Sequence, residues 1–393
     1  MMILLNRDIR DAVLRFIKFP VVGLFGPRQS GKTTLVKAIF PNYTYLNFEN
    51  PETLEFVTED PKAFLQKYEN EHGIILDEFQ HFPQLLSYIQ LEVDEKKRPG
   101  YFVLTGSQNF LMNQAVTQSL AGRIGILTLL PLSIHECAEN KLLFVDSTDM
   151  IIRGSYPRIY ADNFTPDELY PSYIQTYIER DVRLLTNVEN LSTFKKFMKL
   201  CAGRAGQLLN ISDIATNCGI TQKTANNWLS ILEASYIIFL LQPYHVNFNK
   251  RITKTPKLYF YDTGVACSLL GIKQSSELEL SPFRGHLFEN FIIADLFKQH
   301  FNKGTTAPLY FWRDQNGLVE IDCLIDKGGK LTPIEIKSGK TIVTDFFTSL
   351  DKWNEIAQTN PQDGYIIYGG DDVQKRNKGT IIGWQQAGNI IKP

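Results

Sequence analysis

Eight consecutive residues, Gly26-Pro27-Arg28-Gln29-Ser30-Gly31-Lys32-Thr33, carry the spacing G-x-x-x-x-G-K-[ST]. They follow the apolar run Val21-Val22-Gly23-Leu24-Phe25 and precede a helix-like stretch, Thr34 to Phe40. Two glycines at this spacing let successive backbone N–H groups curl around a β-phosphate at a helix N-terminus, whose dipole favours negative charge. Lys32 then reaches the β- and γ-phosphates and the Thr33 hydroxyl ligates Mg²⁺. The candidate nucleotide contacts are therefore Gly26, Pro27, Arg28, Gln29, Ser30, Gly31, Lys32, Thr33 and Thr34, and the chain reads as a binder of a nucleoside triphosphate.

Such a loop needs a sheet to hold it. Apolar runs at Tyr43 to Phe48, Gly73 to Leu76, Tyr101 to Leu104 and Ile124 to Leu130 alternate with helix-compatible segments, the grammar of a parallel α/β sheet. The third run of the series, counting from the loop's own strand, ends in Asp77-Glu78. A carboxylate at a strand's C-terminal end can hold the magnesium shell while its neighbour polarises the attacking water, so Asp77 takes the metal role and Glu78 that of base. The next run ends in Thr105-Gly106-Ser107-Gln108, where Ser107 or Gln108, and less readily Thr105, can sense the γ-phosphate if the two strands are neighbours. Arg123 precedes the last run and can meet phosphate in cis, reach a neighbouring subunit, or simply form a surface ion pair.

A second set of reactive types lies near the C-terminus. Glu289 sits inside the apolar pattern of a helix beginning near Arg284. Leu318 to Asp326 and Leu331 to Lys337 read as two strands joined at Gly328-Gly329, carrying Asp322 on the first and Glu335-x-Lys337 on the second. Residues two apart on a strand share a face, so Glu335 and Lys337 can meet Asp322. Three carboxylates and a lysine suit a hard cation that neutralises phosphate while the lysine orients or deprotonates water. Charged alternation on a half-exposed strand gives the same pattern without chemistry. His81, His135, His245 and His300 show no ligand spacing and read as structural or surface residues.

Between these regions, Leu208 to Ala215 with a cap at Ser212, a glycine turn over Asn217 to Thr221 and a second helix from Gln222 to Ala234 spell helix-turn-helix. Ala225, Leu229 and Leu232 face inward, leaving Gln222, Lys223, Asn226 and Asn227 to meet phosphates and base edges, or to serve as a lid or protein interface. The stretch 249–257 is the most basic of the chain and suits a DNA backbone. Glu179-Arg180-Asp181 reads as a solvated face or an ion pair.

Bulk composition sets limits. A length of 393 residues suggests two or three domains, and 44% hydrophobic residues suffice for packed cores. The formal net charge of −1 gives no global pull towards nucleic acid or membrane, so a DNA contact has to come from a local basic surface. Five scattered cysteines without C-x-x-C spacing argue against a disulfide framework or zinc ribbon and read as reduced core thiols. No stretch has signal-peptide or membrane-spanning character, which sets the expectation of a soluble, cytoplasmic protein without a membrane partner.

Taken together, the nucleotide loop, Asp77-Glu78-Phe79-Gln80, Thr105-Gly106-Ser107 and Ala121-Gly122-Arg123 resemble a widespread prokaryotic family of AAA+ ATPases, over nearly the whole chain. In that family a helix-turn-helix region and a C-terminal domain of unknown function follow the ATPase. The resemblance implies ATP rather than GTP. Glu289, Asp322, Glu335 and Lys337 further resemble the PD-(D/E)XK nuclease fold, with Ile321 in place of that fold's frequent proline. The implied fold class is α/β: an AAA+ P-loop parallel sheet at 1–140, an all-α, winged-helix domain at 141–280, and an α/β PD-(D/E)XK-like domain at 281–393. Two functions are implied: an ATP- and Mg²⁺-dependent machine acting on DNA with a metal-dependent nuclease site, or a nucleotide-operated switch that binds DNA or protein without cutting. Assembly as a homo-oligomer stays open.

Overall fold

The computed structural model describes residues 5–107, 120–178, 191–244, 254–314 and 316–391. Gln108, Glu179-Arg180-Asp181, His245 and most of the basic stretch, 249–253, lie outside the described residues. The chain divides into two compact units. The first comprises Met1–Leu132 with Ala234–Tyr236 and His300–Thr305, and the second comprises the remaining segments.

The first unit is built on five parallel strands: β1 (Val21–Phe25), β2 (Thr44–Asn47), β3 (Ile74–Asp77), β4 (Phe102–Gly106) and β5 (Ile124–Thr128). Their order is β2-β3-β4-β1-β5. The central strands β1, β3 and β4 are buried along their whole length, as expected of a parallel sheet covered on both faces. Val22, Leu24, Ile75, Val103 and Leu127 pack with Leu35 and Val36 of the helix Lys32–Ile39 and with Ile9, Ala12 and Val13 near the N-terminus. Burial of each such side chain contributes about 1.5–3 kcal/mol.

The order matters for chemistry. β4 lies between β1 and β3, with Leu24 opposite Thr105 and Leu76 opposite Leu104. The C-terminal ends of all three strands therefore stand side by side, which is where open α/β sheets bind ligands.

The second unit carries a six-stranded mixed sheet, in the order β13-β14-β12-β11-β10-β9, and a small antiparallel sheet, β6-β8-β7. The strands are β6 (Gln207–Leu208), β7 (Ile238–Leu241), β8 (Lys257–Phe260), β9 (Leu309–Arg313), β10 (Glu320–Lys327), β11 (Lys330–Lys337), β12 (Tyr365–Tyr368), β13 (Gln374–Arg376) and β14 (Gly379–Gly383). Trp312, Ile321, Leu324, Leu350, Trp353, Ile366 and Ile381 form the core under the larger sheet.

The helix pair of this region runs Ile211–Cys218 and Gln222–Ala234, with Gly219 ending the first helix in the left-handed conformation at φ 68°. The first cap is Asn210, whose side chain accepts from the Asp213 N–H at 3.1 Å, and not Ser212 as the sequence suggested. Thr221 caps the second helix, accepting from the Thr224 N–H at 3.1 Å. Gln222, Lys223, Asn226 and Asn227 are exposed, while Ala225, Leu229 and Leu232 are buried. All five cysteines are free and buried. Among the described residues no helix is long and apolar enough to cross a membrane.

Candidate functional site

β1 runs directly into the loop 26–31, which ends at the helix Lys32–Ile39. Two glycines are required by space and backbone. A Cβ on Gly26, at φ 156°, would lie 2.0 Å from the Leu129 carbonyl oxygen, and Gly31 caps the helix at φ 92°. Arg7, buried and unremarked by the sequence motif, pins the loop from below. Its Nη1 donates to the Ser30 carbonyl at 2.7 Å and its Nη2 to the Leu130 carbonyl at 2.6 Å.

Lys32 is buried, and its Nζ donates to the carbonyls of Gly26 at 3.0 Å and Pro27 at 2.8 Å. The ammonium is thus folded back into the loop whose N–H groups a phosphate would occupy. Beside it, Thr33 Oγ1 donates to Asp77 Oδ2 at 2.7 Å, bringing together the two residues expected to share magnesium.

Asp77 is 2% exposed. Its carboxylate also accepts from Tyr45 OH at 2.6 Å, the Glu78 N–H at 3.1 Å and the Thr105 hydroxyl. None of these four donors is charged. That donor set fits a hard divalent cation at Thr33 and Asp77. Burial and the Asp77 carboxylate together push the Tyr45 hydroxyl well above the usual tyrosine range.

Glu78 sits in the left-handed region at φ 53°, a conformation costing about 1–2 kcal/mol for a residue with a side chain and concentrated at functional sites. Its Oε2 accepts from Gln80 Nε2, and the same nitrogen lies 3.4 Å from Ser107 Oγ. Ser107, at the end of β4, therefore joins the site through Gln80, while the Thr105 hydroxyl is committed to Asp77. Arg28 Nη1 lies 3.6 Å from Glu49 Oε1, on the turn after β2.

Arg123 is placed elsewhere. β5 runs parallel to β1 with Ile124 opposite Val21, so Arg123 stands at the N-terminal end of the sheet, about six residues of strand, or ~20 Å, from the loop. There it forms a two-pronged ion pair with Asp94, at 2.6 and 2.9 Å. The expected phosphate contact within one chain is corrected by this topology.

The C-terminal residues come together only in part. Lys337 Nζ donates to Glu335 Oε2 at 2.6 Å, and Asp322 Oδ2 accepts the Ile336 N–H at 2.8 Å. β10 and β11 are antiparallel with Cys323 opposite Ile334, which sets Asp322 beside Glu335. Burial, reinforced by Asp322, raises the Glu335 carboxyl to about 8. Burial and Glu289 raise that of Asp322 as well. Burial opposes the Lys337 charge, but Glu335 and Asp322 outweigh it and hold that lysine above its usual value. Glu335 Oε1 is buried without a hydrogen bond.

Glu289 is engaged otherwise. Buried Lys257 donates to its Oε1 at 2.9 Å and Tyr259 OH donates at 2.5 Å, while the same ammonium pairs with Glu320 at 2.5 Å. Burial opposes the Lys257 charge, yet Glu289, Asp322 and Glu320 hold its pKa far above the usual lysine value. Among the described residues the oxygens of Glu289, Asp322 and Glu335 do not converge to within 4.8 Å of one another. The Glu289 carboxylate is thus bonded to a lysine ammonium in this structure. Lys257, which the sequence placed at the end of a basic stretch suited to a DNA backbone, is instead buried in this cluster, and Tyr259 and Glu320 carried no motif that pointed to it.

One grouping does meet that spacing: donor atoms of Glu49, Glu78 and His81. His81 read as a structural or surface residue from sequence, yet the fold carries it to the edge of the nucleotide site.

Residues 18–138 match the AAA domain, 145–276 a domain of unknown function (DUF8612), and 284–387 a second one (DUF4143). The AAA match, over the segment holding the loop, Asp77 and Glu78, supports ATP binding and hydrolysis. Uncharacterized proteins of Mycobacterium tuberculosis and Mycobacterium bovis are 29% identical over 346 residues, covering 86% of this chain and 75% of each relative. A Walker-type ATPase of Pyrococcus abyssi overlays with a TM-score of 0.43 at 15% identity, covering 68% of this chain and 96% of that one.

Proposed function

We propose that the chain is a Mg²⁺-dependent ATPase acting on DNA, with ATP turnover in the first unit governing how the segments 141–280 and 281–393 engage nucleic acid. The observation that carries the ATPase reading is the Thr33–Asp77 hydrogen bond of 2.7 Å beneath a glycine-bounded loop. Backbone N–H groups of 26–31 bind the phosphates. Lys32 exchanges its carbonyl partners for the β- and γ-phosphates. Thr33 and Asp77 hold Mg²⁺, whose charge offsets that developing on the transferred phosphoryl group. Glu78 takes the proton of the attacking water once Gln80 releases it, and Ser107 follows the γ-phosphate through the same glutamine. A homo-oligomer in which Arg123 leaves Asp94 for a neighbour's nucleotide is compatible with its two-pronged surface pair.

The DNA reading rests on the exposed Gln222, Lys223, Asn226 and Asn227, read as one face of a winged helix-turn-helix. In the last segment, read as PD-(D/E)XK-like, Asp322 and Glu335 bind a divalent cation and Lys337 orients water; their raised carboxyl pKa values mark charges that a cation would relieve. A second reading, a nucleotide-operated switch that binds without cutting, is favoured by Lys257, which neutralises Glu289 without any metal.

One experiment separates the two. Wild type and Glu335→Ala are incubated with single- and double-stranded DNA in Mg²⁺ or Mn²⁺, with and without ATP, and scored for binding and cleavage. Cleavage lost in the variant supports the nuclease. Nucleotide-dependent binding without cleavage supports the switch. Absence of DNA binding in every nucleotide state refutes DNA as the partner.

A further inference from the structure

We infer that Glu49, Glu78 and His81 form a binding site for one divalent cation of the Zn²⁺ class, and that its occupancy arrests ATP turnover by taking the Glu78 carboxylate. The arrest rests on the ATPase reading above; the site itself does not.

Glu78 and His81 stand three residues apart, and the sheet brings Glu49, from twenty-nine residues earlier, to them. β2 and β3 pair with Asn47 opposite Asp77, so the turn after β2 carries Glu49 to the level of Glu78. The left-handed backbone at Glu78 starts the single helical turn Phe79–His81, which folds the imidazole back towards both carboxylates. One donor atom from each residue lies within 4.8 Å of the other two. His81 Nε2 lies 3.9 Å from Glu49 Oε1 and is a buried atom without a hydrogen-bond partner.

An orphaned imidazole nitrogen facing two carboxylates has the composition of a Zn²⁺ site with an open fourth position. Bonds of about 2.0–2.2 Å in a tetrahedron bring donors to about 3.4 Å apart, so side chains that are partly exposed need to close by roughly 1 Å. Imidazole selects Zn²⁺, Cu²⁺ or Ni²⁺ over Mg²⁺, which prefers oxygen donors and retains its waters. The site is therefore distinct from the Thr33–Asp77 pair in both place and preference. Arg28, 3.6 Å from Glu49 Oε1, is the charge that the cation would displace.

The test uses the full chain in Mg²⁺. Zn²⁺ is titrated calorimetrically into wild type, His81→Ala and Glu49→Gln, and MgATP turnover is followed across the same titration. The inference predicts one equivalent in wild type, an affinity weakened about tenfold or more in each variant, and turnover that falls with Zn²⁺ in wild type but persists in His81→Ala at the same concentration. Equal affinity in wild type and both variants overturns the site, as does an intense thiolate-to-metal absorption band when Co²⁺ is substituted, which would place the cation on cysteine. Turnover unchanged at full His81-dependent occupancy overturns the arrest. No turnover in the zinc-free chain overturns the ATPase reading instead, and the calorimetric comparison still decides the site.

Discussion

Lys32→Met removes the ammonium while keeping an apolar stem of similar length, and the structure permits its effect to be worked out. In the nucleotide-free chain the ammonium is bonded to the Gly26 and Pro27 carbonyls at 3.0 and 2.8 Å. Binding ATP exchanges these two bonds for stronger ones to phosphate, a net gain of about 2 kcal/mol for charge-assisted partners. A ligand at a hundred times its Kd stabilises the native state by about 2.7 kcal/mol. Weakening by 2 kcal/mol is about a thirtyfold rise in Kd, which leaves roughly 0.9 kcal/mol at the same ATP concentration. At about 3 °C per kcal/mol, the MgATP-induced rise in Tm falls from about 8 °C to about 3 °C. Differential scanning fluorimetry with and without MgATP reads this directly. A Lys32→Met chain that keeps the full rise would refute the claim that this lysine binds phosphate.

Glu335 gives a pH prediction. Its carboxyl is raised from 4.5 to about 8 in the folded chain, so the folded state retains a proton that the unfolded state loses. Stability in EDTA is therefore fully present below about 4.5 and declines as pH rises towards 8. Glu335→Gln raises Tm at about pH 8.5 and has little effect near pH 4.5; equal effects at both values would show that no buried charge was removed. Lys257→Met leaves buried Glu289 without its cation, while half-buried Glu320 keeps Arg313, and costs about 3–5 kcal/mol by urea unfolding, whereas a change below about 1 kcal/mol would argue against a structural ion cluster. Arg123→Ala leaves MgATP affinity within about twofold, since its Asp94 pair is exposed and remote from the loop. A tenfold loss measured on monomeric protein would contradict its placement.

The nucleotide site was readable because its chemistry is local. The glycine spacing, the helix after it and strands ending in polar groups fix most of the constellation, and the neighbouring of β3 and β4 completes it. For Arg123 the sequence left phosphate, a neighbouring subunit and a surface ion pair open, although the pattern already spoke against the first within one chain: a residue that precedes a parallel strand lies at the end of the sheet away from the ligand. Tyr45, Arg7, Glu49 and His81 were not legible, because their places depend on β2 pairing with β3 and on where the N-terminal segment packs. In the C-terminal region the strands, the Gly328-Gly329 turn and the Glu335–Lys337 pair followed from alternation. Lys257 did not, since nothing in a sequence shows that an ammonium on β8 will meet a glutamate thirty-two residues later on a helix. The cap at Asn210 rather than Ser212 shows the same limit on a smaller scale, as several cap-forming residues stood within three positions and only packing chose among them.

The central claim is that Glu78 acts as base in a site where Lys32, Thr33 and Asp77 hold MgATP. Its most direct measurement is phosphate release under saturating MgATP by wild type and Glu78→Gln, paired with nucleotide binding by both. The account predicts unchanged MgATP affinity and turnover reduced by about a hundredfold or more in the variant. Turnover within a few-fold of wild type, with binding intact, would contradict it.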